Sequence, residues 1–322
     1  MSVSPKILVT GANGFVGRAL CRALADAGFD VRAAVRKPTD ELTHARVAVV
    51  QAPDLENLQA NWDDCLAGID VVVHTAARVH VMNPPPNHEQ LLDAVNARAT
   101  AHLAQSAARA GAKRFIFLST IKVNGETTQG MAPFRATDPV APLEPYAVSK
   151  LKAEQNLKAL SDQRAIETVI IRPPLVYGEG AKGNLDLLER LIKRSIPLPV
   201  GLLGGNRRSL VSLANLVDLI RSCISHPKAA NQTFLVSDGD DLSTLRLTRL
   251  IAQSCHRSVI AVPVPPVALR LLAGLIGKSD MVSRLVDSLQ VDIAPTCRLL
   301  DWHPPQTVEQ GMYEAFAQHS NP

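Results

Sequence analysis

The stretch KILVTGANGFVG, residues 6–17, opens as an apolar run and closes on Gly11, Gly14 and Gly17, just where a helical pattern begins. A strand that feeds straight into a glycine-rich turn and a helix has a specific physical use. Gly11 suits a tight turn, Gly14 lets the backbone approach a pyrophosphate, and Gly17 lets the helix pack closely on the strand. The helix start then offers unpaired N–H groups and a positive dipole end to phosphates. The stretch reads as the first strand–turn–helix of a dinucleotide-binding sheet. Asn13, Phe15 and Val16 are counted with the three glycines among the cofactor contacts.

Working outward, apolar runs alternate with helical patterns. VRAAVR, RVAVVQA, DVVVHTAA, KRFIFLST and ETVIIRP read as strands. Between them GRALCRALADAG, WDDCLAG, the long EQLLDAVNARATAHLAQSAARAGA and SKLKAEQNLKALSDQR read as helices. Strands this apolar need both faces covered, so the fold class is α/β, a doubly wound parallel sheet of Rossmann type. Beyond about residue 175 the alternation weakens. The organisation expected is a dinucleotide-binding domain over 1–175 and a smaller C-terminal substrate lobe over 176–322, with some segments of the second returning to the first. QTFLVSD and VIAVPV are further strand candidates.

Composition narrows the partners. A net charge of +4 over 322 residues, with 4% aromatic residues and no basic block, argues against nucleic acid and allows an anionic small ligand. The five cysteines form no CxxC pair, as expected of free thiols in a reducing compartment. The start goes directly into a strand, and the greasiest later stretch is broken by prolines and Arg270. A cytoplasmic protein with no membrane insertion is expected. His74 and His80 are isolated, so no metal site is read.

At the end of the second strand stand Arg36 and Lys37, where an acid would hold the adenosine ribose diol. A guanidinium and an ammonium suit a 2′-phosphate, which favours NADP(H) over NAD(H). In PYAVSKLK, Tyr146 and Lys150 are four apart at a helix start and share a face. A phenol of pKa about 10 becomes a usable base if an ammonium lies close to it. Tyr146 is then the acid/base for an alcohol or carbonyl that loses or gains hydride.

These motifs, with TGANGFVG, HTAA, Val95-Asn96, the Ser119-Thr120 pair and RPPLVYG, resemble the extended branch of the short-chain dehydrogenase/reductase superfamily. This is the NAD-dependent epimerase/dehydratase family of nucleotide-sugar enzymes. The resemblance runs through nearly the whole chain. It implies Asp54 and Leu55 near the adenine, Ala76 and Ala77 along the adenosine, and Asn96, Ser119, Tyr146, Lys150 and Pro173 among the cofactor contacts. It implies Thr120 as the residue that orients the reacting oxygen. Asn184 and Arg208 are implied at the nucleotide diphosphate, with Arg284 as a second clamp; Lys122 is a candidate for a polar group of the substrate, with solvent as the alternative. RPPLVYG departs from the family by placing Leu175 where an asparagine often touches substrate. A homodimer is expected, with the helices near 90–110 and 149–162 as its candidate interface.

The stretch STIKVNG, residues 119–125, separates the sister activities. Nucleotide-sugar 4,6-dehydratases typically read STDEVYG there and use the two carboxylates for proton transfer. Ile121 and Lys122 cannot replace them. What remains is hydride transfer at C4 of a UDP-sugar. The basic end of the second strand tilts this towards reduction of a UDP-4-keto-6-deoxy-HexNAc, in the manner of enzymes of surface-polysaccharide sugar synthesis. A UDP-glucose or UDP-GlcNAc 4-epimerase is the alternative. A reductase of non-nucleotide ketones and a non-catalytic dinucleotide-sensing regulatory protein stand further off.

Overall fold

The apolar runs do become strands, the inner ones buried on both faces and the edge strand Val47–Gln51 largely exposed, and seven strands form one parallel sheet. They are β1 (Lys6–Thr10), β2 (Asp30–Val35), β3 (Val47–Gln51), β4 (Val71–His74), β5 (Arg114–Leu118) and β6 (Glu167–Arg172), with a late strand, Gln232–Leu235. A further pair, β7 (Leu175–Tyr177) and β8 (Leu210–Ser212), forms a separate two-stranded sheet, so the late strand is β9. The large sheet runs β3-β2-β1-β4-β5-β6-β9. The computed structural model describes residues 4–37, 42–79, 85–181, 183–275 and 279–317.

Strand order reverses between β1 and β4, which pair directly in parallel register from Ile7↔Val71 to Thr10↔His74. Connections leave these two strands towards opposite faces, so a crevice opens at their C-terminal ends. One face of the sheet packs on the helices Phe15–Asp26 and Leu213–Ser225 through Leu20, Leu24, Leu216 and Ile220. The other packs on the helices Ala99–Arg109 and Pro145–Asp162 through Leu103, Ala107, Ala153 and Leu157. The C-terminal part holds its own apolar cluster around Ile192, Leu210, Ile251 and Met312.

Two readings need correction. The helix expected over EQLLDAVNARATAHLAQSAARAGA is interrupted by a π-helical segment, Asp93–Arg98, between His88–Leu92 and Ala99–Arg109. Hydrophobic spacing does not register a one-residue widening of the helical turn. VIAVPV is no strand. Only Ala261 bridges, to Leu198, because the prolines on either side of Val264 remove the donors that a ladder requires. QTFLVSD does form a strand, and it extends the large sheet beyond β6. No helix among the described residues is long and apolar enough to cross a membrane.

Candidate active site

The glycine turn is built as its spacing demands. Gly11 takes φ +68°, and a side chain there would press into the backbone of Ala76 at 2.7 Å. A Cβ on Gly17 would overlap the Gly11 carbonyl oxygen, so this glycine closes the helix against the turn. Gly14 caps the helix Phe15–Asp26 without a side-chain bond, and no acid sits in the first turn. The helix start therefore keeps its donors and its positive end for a ligand. Val16 packs on the core below. Gly17→Ala should weaken dinucleotide binding by about tenfold or more, because overpacking of roughly 1–3 kcal/mol falls directly on the phosphate turn. Fluorescence titration with NADH checks this, and unchanged affinity would contradict it.

Beside the turn lies a cleft of about 460 Å³ at the ends of β1, β2 and β4. Gly11, Asn13 and Gly14 line one wall, and Asp54 with Leu55 lines another. Ala76 and Ala77 also face it, as does Arg36. Lys37 follows Arg36 and is exposed. The glycine cradle, the bare helix start and the cleft fit a nicotinamide dinucleotide. Asn96, by contrast, is buried and spends its side chain inside the protein. It accepts from the Arg78 backbone N–H at 2.8 Å and donates to the Arg78 carbonyl and to Ser149 Oγ. Its place in the π segment lets it hold the cleft wall rather than reach into the cleft.

His74 is fully buried at the end of β4. Thr100 gives its one hydrogen to the Asn96 carbonyl, so His74 Nε2 must donate to Thr100 Oγ1 and Nδ1 must accept from Thr10 Oγ1. Burial first, and the Lys150 charge second, push its pKa down to about 3. With both ring nitrogens engaged, His74 is a neutral strut. His80 lies outside the described residues. Among the described residues no group of three or more His, Cys, Asp or Glu is placed to hold a metal ion.

Tyr146 and Lys150 share a face of the helix Pro145–Asp162, as their spacing requires. Lys150 is buried, donates to the Leu118 carbonyl at 2.8 Å and lies 4.4 Å above the Phe117 ring. Its Nζ is 6.0 Å from the centre of the Tyr146 ring. Burial lowers Lys150 to about 7, with Glu154 opposing, and raises the Tyr146 phenol to about 12. The lysine is expected to favour the phenolate together with the positive charge of the nicotinamide, and among the chain's own groups burial dominates at Tyr146. Desolvation disfavours both charged forms, and at Lys150 only the Glu154 charge opposes it.

Three ties bring the end of β5 against this helix, and two of the side chains involved, Glu144 and Glu154, escaped the sequence reading. Lys150 holds Leu118, Ser119 Oγ donates to Glu154 Oε1, and Lys122 Nζ donates to Glu144 Oε2. Thr120 sits between the second and third ties, as Tyr146 sits between Glu144 and Lys150. Thr120 also caps the short 3₁₀ turn Ile121–Val123, accepting from the Lys122 N–H. Glu154 is bound in turn by Arg172 through both carboxylate oxygens, and Arg172 reaches Asn124 Oδ1 at 2.9 Å. The Tyr146–Lys150–Glu154 spacing of four was the available signal for Glu154. Pro173 is buried, and its carbonyl accepts from the Ile121 N–H.

On the far side, Arg208 is half-buried and donates to the Asp287 carbonyl at 3.1 Å, close enough to Arg284 to feel its charge. Arg207 is exposed and bonds its own turn at Gly204 and Asn206. Asn184 is exposed at the start of the helix Asn184–Lys193. Lys122 does not point freely to solvent, since it pairs with Glu144 and Glu126. Leu175 is exposed, whereas Tyr177 of the same motif is a core residue that donates to Asp238.

The sequence pattern of the NAD dependent epimerase/dehydratase family matches residues 7–237. The chain belongs to that family. A UDP-glucose 4-epimerase of Vibrio cholerae is 44% identical over 320 residues, covering 98% of this chain and 96% of its own. Among solved structures, UDP-glucuronic acid 4-epimerase from Bacillus cereus in complex with NAD superposes with a TM-score of 0.79 at 21% identity, covering 98% of this chain and 100% of that one. UDP-glucose 4-epimerase with UDP-glucose from Thermotoga maritima gives 0.78 at 20% identity, with 97% of each chain covered. These two likenesses carry the fold. Membership in the family makes the protein an NAD-dependent enzyme of the epimerase/dehydratase type.

Proposed function

We propose that this protein is a UDP-sugar 4-epimerase that holds a nicotinamide dinucleotide through its cycle. The observation that carries the reading is the set of ties that holds the turn after β5 against the start of the helix bearing Tyr146 and Lys150, supported by the likeness to the Vibrio cholerae epimerase over nearly the full length of both chains. The sequence alone tilted towards reduction, and the relatives favour the alternative.

When bound, the dinucleotide supplies the hydride acceptor and donor for C4. The chain supplies the rest. Gly11 and Gly14 at the bare helix start hold the pyrophosphate. Tyr146 takes the proton from the sugar hydroxyl as the carbonyl forms and returns it when the opposite face is reduced. Lys150 places its charge over the Phe117 ring and 6.0 Å from the centre of the Tyr146 ring, and Thr120 orients the reacting oxygen. Arg208 and Arg284 hold the diphosphate, with Asn184 at its edge. Ile121 and Lys122, in place of two carboxylates, leave dehydration without its acid and base.

Arg36, on the wall of the cleft with Lys37 behind it, favours the second reading, an NADPH-dependent reductase of a UDP-4-keto sugar. One assay separates the two. Purified protein is given UDP-glucose or UDP-GlcNAc with no added cofactor. Sustained conversion to the galacto epimer, with NAD released on denaturation, is expected. Consumption of NADPH only with a 4-keto sugar, and no epimer, would reverse the order.

A further inference from the structure

Glu144 occupies the N-cap of the helix Pro145–Asp162, yet its side chain makes no capping bond. It turns instead to two cations. Oε2 accepts from Lys122 Nζ at 2.6 Å and Oε1 accepts from Arg284 Nη2 at 3.0 Å. Lys122 belongs to the turn after β5, and Arg284 to the helix Ser279–Val286 of the C-terminal part. Burial by itself would raise the Glu144 carboxyl, but Lys122 and Arg284 together hold it below the usual carboxylate range. It is therefore an anion, fixed between the turn that carries Thr120 and the C-terminal helix, one residue before Pro145-Tyr146.

Arg208 stands within electrostatic reach of Arg284, and the two like charges oppose each other. A pair of guanidiniums in this position calls for an anion. Glu144 provides one for Arg284, as Asp287 and, to a smaller extent, Glu126 do for Arg208. We propose that Glu144 is the resting counter-ion of this clamp, and that a substrate diphosphate takes its place on Arg284. The inference rests on the nucleotide-sugar reading above. A diphosphate carries more charge and more acceptor oxygens than a carboxylate, so it wins the guanidinium. Displacement is easy, because the side chains of Arg284 and Glu144 are 45% and 32% exposed and their pair is screened by water. Lys122 keeps the other carboxylate oxygen. Glu144 is thus a positioning residue, whose release from Arg284 reports diphosphate binding to the segment that carries Tyr146.

The test is calorimetric titration of UDP into wild type, Glu144→Gln, Arg284→Ala and the double variant, with kcat and KM measured for UDP-glucose. Glu144→Gln should bind UDP about three- to tenfold more tightly, since a screened competing anion is removed. Its kcat and KM should both fall. Arg284→Ala should bind UDP more weakly, and the double variant should show no gain over it. Glu144→Asp keeps the charge and should stay near wild type. Unchanged or weaker UDP binding by folded Glu144→Gln overturns the inference, as does tighter binding by Glu144→Asp. Failure of wild type to bind UDP would remove the nucleotide-sugar reading itself, and this inference with it.

Discussion

Replacing Tyr146 with Phe is expected to lower turnover of a UDP-sugar by about 10²–10⁴-fold, the usual contribution of a positioned acid/base. The ring that lies beside Lys150 is retained, so the loss reports the phenolic oxygen rather than packing. UDP and NADH titrations should be nearly unchanged while kcat collapses. The pH profile adds a second signature. Burial holds the phenol near 12, so at neutral pH it is a ready proton donor and a scarce base. In the oxidising direction the rate needs the phenolate and should climb on the alkaline side. Lys150, which burial brings to about 7, loses its proton as pH rises through that value, and its help to the phenolate fades there. The Phe variant should lack the alkaline climb. Near-wild-type turnover in that variant would remove Tyr146 from the mechanism.

Glu154→Gln is expected to destabilise the fold by about 3–5 kcal/mol, because it leaves a buried guanidinium without its counter-charge. The side chains of Arg172 and Glu154 are only 7% and 5% exposed, and Arg172 grips both carboxylate oxygens. Ser119 then donates to a neutral amide oxygen instead of a carboxylate, which weakens that bond. Arg172→Leu should cost a similar amount, and the double variant Glu154→Gln/Arg172→Leu less than the sum of the two, since no orphan charge then remains. Urea unfolding of the four proteins measures the cycle. A loss below about 1 kcal/mol for Glu154→Gln would show that water reaches the pair. The same change should lower the Lys150 ammonium further, because Glu154 is the charge that opposes its desolvation.

The parallel sheet, its glycine turn and the shared face of Tyr146 and Lys150 were legible in the residues, because each depends on local spacing. Apolar runs bounded by glycines dictate buried strands, the interval between Gly11 and Gly17 dictates a tight helix start, and a separation of four dictates one helical face. Contacts across the fold carry no such period. Nothing in PLEPYAV announces that Glu144 meets Arg284, which lies 140 positions away. Nothing in VNARAT announces the π turn that points Asn96 at the wall of the cleft rather than into it. The pKa order of Tyr146 and Lys150 also came from the tertiary structure, because desolvation depends on what packs around a group and not on its neighbours in the chain. By itself the sequence determined the fold, the cleft and the class of chemistry. Only the folded chain decided which charges face one another at the mouth of the site, because long-range ion pairs are set by how the sheet and the C-terminal helices stack.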